Sequence, residues 1–138
     1  MILTKLTEDG TIKLLIKHFE NQGYSVVSYC LGQQRGCDII VEKGNRKLYI
    51  EVKGAKANKN SPTNRREFFD SGQIKTHFGK AIIKALETKQ KHPDSKVAIA
   101  HPCDEKIINV IGSIIPELRK LNIIHFWVKE NGNVIIDK

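Results

Sequence analysis

Cysteine is scarce in this 138-residue chain: Cys30, Cys37 and Cys103 are the only three. An odd, small set cannot build a disulfide framework, and the spacing fits no zinc-ligand pattern. A reducing cytoplasm is the expected setting. No run approaches the ~18 apolar residues of a transmembrane helix, so no membrane partner is expected. The opening Met-Ile-Leu-Thr-Lys lacks the apolar stretch of a signal peptide. Internal repeats and low-complexity tracts are absent as well.

What is present is a globular composition with one asymmetry. Hydrophobic residues make up 40% and charged residues 28% of the chain, enough for a core and ordinary for a single domain over residues 1–138. The net charge is +8. Residues 43–91 carry 13 Lys/Arg against 4 Asp/Glu, whereas the remainder carries 10 against 11. The whole excess therefore lies in one segment. A localised basic patch is the footprint of a phosphate-backbone partner, so nucleic acid is expected. The competing reading is a solvated basic surface.

At the head of that segment two apolar runs, residues 37–42 just before it and 47–52 within it, flank Gly44-Asn45. This reads as a hairpin, and a two-residue loop that begins with Gly suits a type II′ turn. The register then sets Lys43 opposite Arg46, Glu42 opposite Lys47, Ile40 opposite Tyr49, and Asp38 opposite Glu51. Opposed residues share a face, with Cβ atoms ~5 Å apart. Alternation puts Lys53 on the same face as Glu51. Two carboxylates ~4 Å apart repel by about 4 kcal/mol at an effective dielectric of 20, so a cation is expected among them. Lys53 supplies one charge. A divalent metal would supply more, and oxygen-only ligands favour Mg²⁺ or Mn²⁺ over Zn²⁺.

Asp38, a spacer, and Glu51-Val52-Lys53 together resemble the D…(D/E)xK signature of PD-(D/E)xK nucleases, the restriction-endonuclease-like superfamily. The wording Asp-Ile-Ile-Val…Leu-Tyr-Ile-Glu-Val-Lys is most similar to archaeal Holliday-junction resolvases and related small nucleases, over roughly residues 8–100. Cys37 departs from the pattern, standing where the superfamily name has Pro. The resemblance implies an α/β fold with a central mixed sheet flanked by helices, in the order α-β-β-β-α-β-α-β-β. It implies hydrolysis of phosphodiester bonds, in DNA ahead of RNA. Asp38 and Glu51 would hold Mg²⁺ (or Mn²⁺), with the Val52 carbonyl as a further ligand. Lys53 would orient or deprotonate the attacking water. Resolvases of this type act as two-fold dimers, so a homodimer is an open expectation, though no dimer surface is legible. A non-catalytic binding module of the same fold is the alternative.

Around this hairpin the pattern predicts a helix over 7–22, with Thr7 as its cap and Gly23 closing it. Resolvase-like nucleases carry a metal-proximal Glu on this helix. Glu8 is the candidate, but it sits about one turn early, and a Glu favoured by the helix dipole is the preferred reading. A strand over 24–30 and a loop with Gln33, Gln34 and Arg35 follow; the loop touches a bound strand or is merely solvated. The long stretch 54–70 carries Lys56, Lys59, Arg65 and Arg66, candidate phosphate contacts, with Phe68 and Phe69 anchoring its end.

A helix over 71–91 aligns Gln73, His77, Lys80 and Lys84 along one flank. Gln73-Ile-Lys-Thr-His77 is similar to the Q-x-x-x-Y motif of RecB-like members, with His in place of Tyr. Gln73 is thus a candidate for contacting the metal-bound water or a phosphate, against a plain solvent-facing Gln. Lys80 and Lys84 join the candidate nucleic-acid contacts. A strand over 96–102, parallel to the Glu51 strand, leads to a helical stretch 104–121. Pro116 must kink that stretch or start a second helix capped by Ser113. Two final strands hold His125 and the Asn131-Gly132 turn. His101 and His125 are expected to be satisfied structural histidines.

Overall fold

The computed structural model describes residues 5–32, 36–56 and 68–138. The elements are α1 (Glu8–Asn21), β1 (Ser25–Tyr29), β2 (Ile39–Lys43), β3 (Arg46–Val52), α2 (Ser71–Lys91), β4 (Lys96–Pro102), α3 (Glu105–Ile111), a 3₁₀ segment (Gly112–Leu121), β5 (Ile123–Val128) and β6 (Val134–Asp137). The six strands stand side by side in chain order. Tight turns make β2–β3 and β5–β6 antiparallel, and β1–β2 is antiparallel too. The crossover through α2 makes β3–β4 parallel, and that through α3 makes β4–β5 parallel.

The β2–β3 register is the one the turn dictates: Lys43 faces Arg46, Glu42 faces Lys47 and Ile40 faces Tyr49. Gly44 has φ 64, while Asn45 keeps a negative φ, the combination a type II′ turn needs. At the head of α1 the Thr7 hydroxyl accepts from the Gly10 amide at 3.0 Å, and Gly23 closes the helix at φ 87. Asp70 and Gln73 form a reciprocal capping box that starts α2.

The expected Ser113 cap is not formed. Proline at 116 has no N–H to give, and its ring collides with the carbonyl four residues earlier. The α-helix accordingly stops at Ile111, and the chain runs on as a 3₁₀ segment with no side-chain cap.

Strand alternation divides the core into two. One face of the sheet presents Ile39, Val41, Leu48, Ile50, Val52, Ala98 and Ala100 to Ile12, Leu15 and Phe19 of α1. The other presents Val97, Ile99 and Ile123 to Ile74, Phe78 and Ala81 of α2 and to Ile107 and Ile111 of α3. Burying each of the larger side chains stabilises the fold by roughly 1.5–3 kcal/mol. β3 lies inside the sheet between β2 and β4, so its C-terminal end is held on both sides. No helix among the described residues is long and apolar enough to cross a membrane.

Candidate active site

Glu51 is the only carboxylate on β3, in a position that the strand pattern would give to an apolar residue. It is 5% exposed. Alternation from Ile50 and Val52 turns it away from α1, onto the α2 face. Asp38 lies one residue before β2, where the hairpin register continues toward Glu51. Its Oδ2 accepts from the Val52 amide at 2.8 Å, which fixes it at the end of β3. The two carboxyls hydrogen-bond each other. Glu51 Oε1 is buried with no partner.

A third carboxyl, Glu8, lies near enough to sense this pair without joining it. Glu8, the first residue of α1, feels the charge of Asp38 and of Lys53. It keeps the expected place of a Glu in the first turn of the helix. The close approach of α1 to the end of β3 depends on Gly54. A Cβ at Gly54 would stand 2.4 Å from the Glu8 amide nitrogen and 2.8 Å from the Thr7 carbonyl carbon. Only a residue without a side chain lets β3 run on beneath the start of α1. The Ala55 amide then donates to the Leu6 carbonyl at 2.8 Å, and Thr7 and Lys56 form a parallel bridge. Gly54 directly after Glu51-Val52-Lys53 was the signal that could have identified this approach.

Burial dominates the electrostatics. It raises Glu51 to about 8, with the neighbouring Asp38 charge adding to the effect. It raises Glu8 to about 7, again with Asp38 as the next cause. Asp38 is raised by burial too, against the Val52 amide and Lys53, which favour its charged form. Lys53 and Lys84 oppose the rise at all three carboxyls. Both members of the Asp38–Glu51 pair are thus pushed toward their protonated forms. Cys37 beside them is no nucleophile: burial and Glu51 push its thiol up to about 12, and its Sγ donates to the Ile39 carbonyl at 3.3 Å.

The structure brings Asp38, Glu51 and Lys53 together, with the backbone of Val52 between them. The Lys53 amide continues the ladder to the Ala100 carbonyl at 2.9 Å. Lys84 donates to the Gly36 carbonyl at 3.0 Å, so it serves as a counter-charge to the carboxyls. Lys80 is exposed on α2. Gln73 Oε1 is engaged by the Asp70 amide at 2.9 Å in the capping box, which leaves its NH₂ for other contacts. Lys56 sits in the bridge to Thr7. Arg35, Lys59, Arg65 and Arg66 lie outside the described residues. Phe69 does anchor the end of the long stretch: its amide donates to the Ala55 carbonyl at 3.2 Å, and its ring meets His77 edge-on at 4.6 Å.

The two strand histidines are satisfied at one nitrogen only. His101 Nδ1 and His125 Nε2 lie 2.8 Å apart in the core, while His101 Nε2 and His125 Nδ1 find no partner. Burial holds both rings neutral, His125 down to about 3. Among the described residues no group of three or more His, Cys, Asp or Glu is arranged to hold a metal ion. Asp38 and Glu51 are the pair of hard oxygen donors.

The mixed six-stranded sheet with α1 on one face and α2 and α3 on the other is a restriction-endonuclease-like fold. Two solved structures resemble it over nearly the whole chain. One is an XisH family protein from Nostoc punctiforme PCC 73102, at 14% identity and a TM-score of 0.57, covering 92% of this chain and 97% of the other. The second is a fdxN element excision controlling factor protein from Anabaena variabilis, at 15% identity and a TM-score of 0.59, covering 92% and 96%. At these identities the likeness is one of fold. No protein-family model matches the chain, and no curated protein does.

Proposed function

We propose that this chain is a metal-dependent nuclease that hydrolyses phosphodiester bonds of DNA. One observation carries the reading: a register fixed by the β2–β3 turn gathers the buried Glu51 and the half-buried Asp38, with Lys53 beside them. A carboxyl pair that burial pushes toward protonation, with one Glu51 oxygen lacking any partner, suits a hard divalent cation, which would offset its charge. Asp38 and Glu51 would hold Mg²⁺ or Mn²⁺, with the Val52 carbonyl as a further oxygen donor. When bound, the ion supplies a more acidic water and offsets the charge on the phosphate.

The remaining roles belong to the chain. Lys53 orients or deprotonates the water and stabilises the charge that builds on the phosphoryl oxygens. Lys84, tied to Gly36, limits the repulsion among the carboxyls before substrate arrives. Exposed Lys80 and the basic stretch after Lys53 are candidates for the phosphate backbone. The neighbours' names, XisH and excision controlling factor, support a role in cutting or governing the cutting of an excised element.

The test is cleavage of labelled duplex, single-stranded, flap and four-way-junction DNA with Mg²⁺, Mn²⁺ or EDTA, beside Asp38→Asn. Cutting that needs the metal and disappears in the variant is the expected result. Binding without cutting under every metal would replace the nuclease with a non-catalytic nucleic-acid-binding module.

A further inference from the structure

A second feature lies at the far end of β3 from Glu51 and on the opposite face of the sheet. The starts of β3, β4 and β5 and the end of β6 meet the C-terminal part of α1 around a cleft of about 350 Å³. Its floor is apolar, made of Tyr24, Leu48, Ile124 and Ile136. Five cationic side chains line it: Lys43, Arg46, Lys47, Lys96 and Lys138. Leu48 and Ala98 belong to the core beneath α1, so Arg46 and Lys96, two residues away along their strands, point to the same face.

No Asp or Glu is among the residues that line the cleft. Lys43 donates to the Gln22 carbonyl at 2.9 Å and lies over the Tyr24 ring at 5.3 Å. Neither partner carries a formal charge, so the ammonium remains uncompensated. Lys47 faces Glu42 across the hairpin and is left out of the set.

Gathering four like charges over an apolar floor is unfavourable, and a ligand that is anionic at one end and apolar at the other relieves it. Inorganic phosphate would use the rim and leave the floor wet. The volume lies at the small end of ligand pockets, suited to a single planar body. We propose that this cleft binds a free nucleoside polyphosphate, with the base against Leu48, Ile124 and Ile136 and the phosphates on Arg46, Lys96 and Lys138. The site is separate from the carboxyl cluster and stands whether or not that cluster cuts DNA.

The experiment is a backbone-amide NMR titration with ADP in EDTA, which removes metal-bridged binding at the carboxyl end. Saturable shifts at residues 46–48, 96 and 124 are expected. Arg46→Gln with Lys96→Gln, both exposed and therefore compatible with folding, should weaken ADP about tenfold and leave DNA cleavage unchanged. Adenosine and inorganic phosphate should each bind far more weakly than ADP. The proposal is overturned if ADP gives no saturable shifts, or if the double variant binds it as well as the parent. Phosphate binding as tightly as ADP would reduce the cleft to a simple anion site. Tighter binding of a short oligonucleotide or of anionic lipid vesicles at the same amides would reject a free nucleotide as its ligand.

Discussion

Replacing Glu51 by Gln should make the protein more stable at alkaline pH while abolishing its chemistry. Glu51 is 5% exposed, and burial together with Asp38 lifts it from the ordinary 4.5 to about 8. Between those two values the folded protein binds the proton that the unfolded chain has released. Stability contributed by this carboxyl is therefore complete below the unfolded value and is lost as pH rises through the folded one. The interval converts to about 5 kcal/mol. An amide in the same place has its own unpaired hydrogen, which costs about 1–2 kcal/mol. The variant should thus exceed the parent by about 3 kcal/mol above pH 8, a rise of roughly 10 °C in Tm for a domain of this size.

Near pH 4.5 that advantage should vanish. The buried histidines titrate in the opposite sense, since their lowered values make the fold weaker as pH falls below 6.5. They are the same in both proteins, so the difference between the two curves reports the Asp38–Glu51 pair. The assay is urea unfolding of both proteins from pH 4.5 to 9 in EDTA. A difference that does not change with pH would refute the buried, proton-holding carboxyl. Adding Mg²⁺ at pH 8 should narrow the gap, because only the parent has the full donor set.

Three further outcomes are expected. Lys53→Ala should retain the fold and DNA binding and lose cleavage; parent-level cleavage in a gel assay would remove Lys53 from the reaction. Gly54→Ala should cost about 1–3 kcal/mol in urea unfolding, because its Cβ meets backbone at 2.4 Å and the start of α1 must move. An unchanged midpoint would mean that Glu8 is not held in place by this approach. His125→Leu should cost about 1–3 kcal/mol by leaving His101 Nδ1 unpaired in the core. Adding His101→Phe should recover part of that loss, and strictly additive effects would argue against a coupled pair.

The order of elements, the hairpin register and the meeting of Asp38 with Glu51 were all legible in the sequence. These features depend on short-range rules: strand alternation, a Gly-first turn, a capping Thr and a capping Asp. Each is set within a few residues, and two paired strands then place their side chains without reference to the rest of the chain. Glu8, Lys84, the histidine pair and the cationic cleft were not legible in this way. Glu8 comes near Asp38, 30 positions on, because Gly54 lets α1 lie against the end of β3. Lys84 reaches the carboxyls because α2 packs across their face. His101 and His125 meet because β4 and β5 lie parallel and adjacent. Arg46, Lys96 and Lys138 are scattered along the chain, and the sheet order alone assembles them. The sequence by itself determined the strand pair and the carboxyls it brings together. The packing of helices on the sheet decided what surrounds that pair, because contacts between distant segments depend on which faces the whole fold buries together.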